Sequence, residues 1–263
     1  MMGNNDQQAY DRGTSLFSPD GRIYQVEYAR EAVSRGAPSV GIRTADGVVF
    51  VAMSRASSTL MEAESIEKLH KLDDHLGTAS AGHVADARQL IDLARRQSQG
   101  NRLRYGEAVG VETLTKFVTD HIQENTQRGG TRPYGAALLI GGVEDGEPRL
   151  FAADPSGTPN EWKATVIGGG RQDIQGHLEE EWTDDLSLTA GVELGLAALA
   201  AHEDEFDPDD VAVATITEDD GYRTVPGDEV AEAFEAAGIG ADEDEETDAD
   251  EDEETDADED DEE

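Results

Sequence analysis

The sequence predicts an α+β protein in which two antiparallel sheets stack face to face between outer layers of helices. Three observations predict it. Period-two runs of β-branched and small apolar residues follow one another, the clearest pair flanking Ala45-Asp46-Gly47, a strong hairpin signal. Helix-period segments arrive in adjacent pairs between such runs. A doubly wound parallel sheet would instead place single helices between successive strands.

Each element has its own warrant. Ser18-Pro19-Asp20-Gly21 is a turn, because proline fixes φ, Ser and Asp side chains bond nearby amides, and glycine tolerates positive φ. Ser18 or Asp20 is expected to cap the helix that follows. Along that helix Ile23, Val26, Ala29, Arg30 and Val33 fall at three- and four-residue spacing, so one stripe is apolar, and Gly36 with Pro38 stops it. Strands are expected at 39–44, 48–54 and 77–81. A helix over 84–101 places Ala87, Leu90, Ile91 and Ala94 on one face, and one over 111–127 does so with Leu114, Phe117, Val118, His121 and Ile122. Further strands are expected at 136–143, 149–153, 164–168 and 211–217, with helices at 172–182, 188–202 and 228–237.

Composition bounds the function. The 263 residues carry 60 acidic and 20 basic side chains, a net charge of −40. Eighteen of the acids lie in 241–263, so 1–240 still carries 42 acids against 20 bases, a net of −22. Such self-repulsion opposes compaction in dilute salt. It is tolerable near 1 M salt, where the Debye length is ~3 Å, and a halophilic cytoplasm is the expected setting. The acidity argues against binding nucleic acid. Without cysteine there is no disulfide or thiolate chemistry. The first residues, MMGNNDQQAYDRG, lack the apolar run of a secretory signal, and no window offers 18 uninterrupted apolar residues, so no membrane association is expected.

Several bland readings outweigh sharper ones. Gly168-Gly169-Gly170-Arg171 fits a tight strand-to-helix turn better than a phosphate loop. The six histidines lack metal-ligand spacing, and no metal or cofactor is expected. No Gly-x-Ser-x-Gly elbow exists. His121, Trp162 and Trp182 are expected to be packed or at an interface. The segment 241–263, with ADEDEETD in tandem, has nothing to bury and is expected to be a disordered acidic tail. Its Asp248, Asp250 and Asp252 have calcium-loop spacing, but Glu253 stands where that loop needs glycine.

One string carries more. Tyr10, then Phe17-Ser18-Pro19, Gly21-Arg22, Gln25-Val26-Glu27-Tyr28-Ala29 and Ala32 follow in order. Together they resemble the N-terminal signature of α-type subunits of the archaeal 20S proteasome core particle. The segments 65–69 (SIEKL), 82–88 (GHVADAR), 132–135 (RPYG) and 154–170 (DPSGTPNEWKATVIGGG) are also similar to that family. The resemblance spans about 9–238 and leaves the tail outside. It implies a four-layer αββα sandwich of the Ntn-hydrolase type over 1–240, with 1–17 as a gating segment and 18–36 as turn and helix. It also implies a non-catalytic subunit. Copies of it, or of other α-type subunits, would form a heptameric outer ring on the catalytic β subunits. That ring would admit unfolded polypeptides and dock the C-terminal tails of a hexameric ATPase. Tyr10, Asp11, Arg12, Pro19 and Tyr28 would belong to the gate. Lys68, Gly82, Ile23 and Glu27 would line the docking pocket between neighbours. His83 departs from the aliphatic residue common there.

Two rivals remain at the sequence level. A β-type threonine peptidase needs a threonine at the head of the first strand, yet Ala37 falls there, the acidic partner's place falls near Ser54, and Lys68 alone matches. Thr14 follows Gly13 like a processing site but lies before the first helix. A free acidic chaperone or binding module would explain the tail and not the N-terminal string.

Overall fold

The structure, a computed structural model, describes residues 17–18, 21–55, 58, 60–62, 65–128, 130–203 and 206–239. The first helix, α1 (Tyr24–Ser34), precedes the hairpin β1 (Ser39–Arg43) and β2 (Gly47–Met53). Strands β3 (Leu69–Asp73) and β4 (Leu76–Gly82) lead into the helix pair α2 (Val84–Tyr105) and α3 (Val111–Gln127). Strands β5 (Ala136–Glu144), β6 (Glu147–Ala153), β7 (Pro159–Glu161) and β8 (Ala164–Ile167) follow, then α4 (Arg171–Glu181) and α5 (Leu188–Ala200). Strands β9 (Val211–Thr217) and β10 (Gly221–Thr224) and helix α6 (Gly227–Ala236) complete it.

The strands form two five-stranded sheets, ordered β10-β9-β2-β1-β8 and β3-β4-β5-β6-β7, with every neighbouring pair antiparallel. Period two divides each central strand between two cores. In β2, Val49, Val51 and Met53 face α4, α5 and α6, while Val48 and Phe50 enter the space between the sheets. In β5, Leu138 and Ile140 pack with α2 and α3, while Ala137 and Leu139 face the opposite sheet. The result is the predicted αββα sandwich. Glycines let the large side chains fill the interlayer: a Cβ on Gly41 would come within 2.9 Å of Leu150 and one on Gly141 within 2.8 Å of Val48.

The departures from the sequence reading have physical causes. Strands β3, β7 and β10 escape the alternation rule because all three are edge strands, short and partly polar. Helix α2 runs past 101 to Tyr105, and Gly106 ends it at φ +75° by donating its N–H to the Arg102 carbonyl. The expected Ser18 cap does not serve α1. Ile23 holds the N-cap position with no side-chain bond. Ser18 Oγ instead accepts from the Arg22 amide at 3.1 Å and braces the turn, and Asp20 lies outside the described residues. Phe117 is exposed rather than on the buried face of α3, which Leu114, Thr115, Val118 and Ile122 supply. The acidic tail lies outside the described residues.

Candidate functional site

Helix α1 ends against the mouth of the sandwich, and glycine makes the approach possible. Gly82, the last residue of β4, has φ +100°, and a Cβ there would lie 2.4 Å from the Gly135 carbonyl oxygen. A Cβ on Gly36 would lie 2.6 Å from the Gly82 nitrogen. The chain after α1 is fixed from the other side by the Gly169 amide, which donates to the Gly36 carbonyl at 2.8 Å.

Two charged forks hold this junction. Asp86, on the first turn of α2 and 4% exposed, accepts from Arg132 Nη1 at 2.5 Å, Arg132 Nη2 at 2.8 Å and the Gly135 amide at 2.8 Å. Burial pushes its carboxyl up, but the Arg132 and Gly135 donors outweigh that and hold it below the usual value. Arg30 on α1 reaches Asp154 through Nε at 3.0 Å and Nη2 at 2.8 Å. Asp154 also accepts from Ser156 Oγ at 2.5 Å and the Ser156 amide at 3.1 Å, so the DPSGT string is an Asx turn that presents its carboxylate to the helix.

Beside the junction lies a cavity of about 310 Å³ whose lining includes Gly36, Ala37, Ser54, Met61, Ile66, Lys68, Gly82 and Arg88. Lys68 Nζ donates to the Ala37 carbonyl at 2.6 Å and the Pro38 carbonyl at 3.0 Å. Desolvation pushes the Lys68 amine down to about 7. His70 is lowered too, first by burial and then by Arg95.

The sequence-predicted residues distribute unevenly. Tyr10, Asp11, Arg12 and Pro19 lie outside the described residues. Tyr28 is exposed on α1 and stacks on Tyr24 at 6.4 Å. Lys68 and Gly82 share the cavity. Ile23 and Glu27 line a separate groove of about 680 Å³ with Phe17, Arg22 and Gln123. Within one chain the four pocket residues therefore fall two and two. His83 is not among the cavity-lining residues, and its Nδ1 lies 3.9 Å from Asp86. Ala37, Ser54 and Lys68 do converge, with alanine at the place a threonine nucleophile would need. The Ser54 hydroxyl donates to the Asp210 carbonyl at 3.3 Å.

Both forks escaped sequence reasoning, since Asp86–Arg132 and Arg30–Asp154 join positions 46 and 124 apart. The Asp154-Pro155-Ser156-Gly157 run is the one local signal that could have marked a presented carboxylate. His121 is half-buried and lies 3.1 Å from the Tyr134 hydroxyl. Trp182 donates Nε1 to the Arg43 carbonyl at 2.9 Å, whereas Trp162 Nε1 is buried with no partner among the described residues. Among the described residues no group of three or more His, Asp or Glu side chains could hold a metal ion, and no helix is long and apolar enough to cross a membrane.

Comparisons with known proteins agree with this geometry. The family model described as proteasome subunit matches residues 33–216, and the model for the N-terminal signature of A-type proteasome subunits matches residues 10–32. The chain is 63% identical over 247 residues to the proteasome alpha 2 subunit of Haloferax volcanii, covering 94% of this chain and 98% of that one. It is 58% identical over 254 residues to the proteasome alpha subunit of Natronomonas pharaonis, covering 94% and 100%. Against the proteasome alpha subunit of Halobacterium salinarum the identity is 61% over 231 residues, covering 87% and 91%.

Proposed function

Because the chain belongs to the α type of the proteasome subunit family, we propose that it is the gating and docking subunit of a core particle in a halophile's cytoplasm. It builds the heptameric outer ring on β subunits and cleaves nothing itself. The observation that carries this reading is the head of β1. Ala37 has no hydroxyl to attack a peptide bond, and the Lys68 ammonium is aimed at the Ala37 and Pro38 carbonyls.

Lys68 and Gly82, completed across a ring contact by Ile23 and Glu27 of a neighbouring copy, form the pocket for the C-terminal carboxylate of a hexameric ATPase. The two-and-two division of these residues within one chain supports a site completed between copies. A terminal carboxylate can displace one backbone carbonyl from the ammonium and gain a charge-assisted bond. Residues 1–17 form the gate, with Tyr10, Asp11, Arg12, Pro19 and Tyr28 linking neighbours in its open form and unfolded polypeptides passing through it.

Deleting residues up to Arg12 tests the gate. Peptide hydrolysis by the assembled particle should rise severalfold, with no covalent label on this chain from a threonine-directed inhibitor. An unchanged rate in a particle closed at rest removes the gate role, and a labelled residue in this chain removes the non-catalytic one.

A further inference from the structure

Four lysines occur in the chain, and three are ion-paired: Lys71 with Asp74 at 2.7 Å, Lys116 with Glu112 at 2.6 Å and Lys163 with Asp184 at 3.0 Å. Lys68 differs. In a chain with 60 acids, its Nζ has no carboxylate partner among the described residues and bonds only two backbone carbonyls. The groups sharing its cavity do not neutralise it. Arg55, just past β2, lies 3.6 Å from Asp210, Glu67 lines the cavity but lies toward His70 on β3 at 3.9 Å and makes no bond to Lys68, and Arg88 comes from α2. Burial in this cavity, with no carboxylate bonded to Nζ, favours a neutral amine at this place.

We infer that Lys68 is a selectively reactive amine, open to acylation by small activated acyl donors of the acyl phosphate class. The neutral nitrogen attacks the acyl carbon, a C–N bond forms, the C–O bond to phosphate breaks, and inorganic phosphate leaves. The extra proton on nitrogen passes to solvent. The product is a neutral amide that cannot pair with a carboxylate, so one acyl group would close the docking pocket; that consequence rests on the function proposed above. Burial that holds the amine near 7 leaves about three in four molecules unprotonated at pH 7.5, against roughly one in a thousand for an ordinary lysine. Lower basicity makes the amine a weaker nucleophile and cancels part of this gain.

The assembled particle is treated briefly with acetyl phosphate in molar KCl between pH 6.5 and 9, and each lysine is followed by peptide mass spectrometry. Lys68 should react at least about tenfold faster than Lys71, Lys116 and Lys163 at pH 7.5. Its rate should level off above about pH 8 while theirs keep rising, and the preference should vanish in guanidinium. Equal or slower reaction of native Lys68, or a preference that survives unfolding, overturns the inference. Binding of a short apolar peptide with a free C-terminal carboxylate, against its amide twin, separates the two ideas. If the unmodified particle does not distinguish them while Lys68 reacts selectively, the docking reading falls and the reactive amine stands. If it does distinguish them and Lys68 is not selective, only this inference falls.

Discussion

The two ends of the sandwich are built on different principles. At one end the turns at Asp46, Asp74, Asp145 and Glu218 to Gly221 connect strands and present acids. Several of their bonds are local, the Thr44 amide donating to the Gly47 carbonyl and the Asp220 amide to Thr217 Oγ1, while a few reach across, as the Tyr222 amide does to the Asp74 carbonyl at 2.6 Å and the Ala45 amide to the Leu186 carbonyl at 2.9 Å. At the other end nearly every tie crosses the sequence. Gly36 meets Gly82, Lys68 meets Ala37, and Asp86 meets Arg132. The exposed turn tips at the acidic end tolerate change better than packed backbone does. The other end, made of interlocked backbone, fails as a unit, and it is the end that seats α1.

The largest loss should come from Gly82→Ala. The new Cβ meets the Gly135 carbonyl oxygen, and φ +100° is strained for alanine, so about 2–4 kcal/mol of stability and most ring assembly should disappear. Thermal melts and sedimentation read this, and a wild-type melting temperature would show that the junction is loosely packed.

Next comes Asp86→Asn, which leaves the Arg132 fork half-made and should cost about 2 kcal/mol, discounted because Arg132 is 59% exposed. The carboxyl is held low in the folded chain, so the unfolded chain binds more protons between the two values. The stability it supplies is full above the ordinary carboxyl value near 4 and is lost as pH falls through the lower folded value. Acid titration of the variant should show a shallower loss below pH ~4.

Lys68→Ala should weaken docking of a terminal carboxylate ten- to a hundredfold, about 1–3 kcal/mol. In the parent, docking requires the charged amine, so affinity should fall as pH rises through about 7, and the variant should lose that slope. A pH-independent parent would take Lys68 out of the contact. At the acidic end, Asp219→Asn should move stability by less than about 0.5 kcal/mol in molar salt. A larger change would erase the contrast between the ends.

Sequence periodicity reached the central strands and all six helices among the described residues, because each buries a regular stripe whose spacing is written in the chain. It failed at three of the four edge strands, where Leu69 to Asp73 alternates weakly and Pro159 to Glu161 is too short for a period to show, but caught the apolar edge strand β8. For the candidate site, the family-like strings pointed to Lys68 and Gly82. The partners Ala37 and Gly135, and the forks through Arg132 and Asp154, depend on how distant segments meet. Residue types alone do not encode such meetings. Ser18 illustrates the converse: a good capping residue was drawn to a nearer amide once the turn closed.

The fork between Asp86 and Arg132 has a consequence for life in brine. Concentrated ions dissolve loose attractions between side chains that only approach one another through water. They weaken far less a carboxylate and a guanidinium already touching at 2.5 and 2.8 Å, with the carboxylate walled off by protein. The seat of the first helix is thus fastened by a bond that the surrounding electrolyte screens only from the arginine's side, while the acid-covered exterior is left to trade its counterions freely.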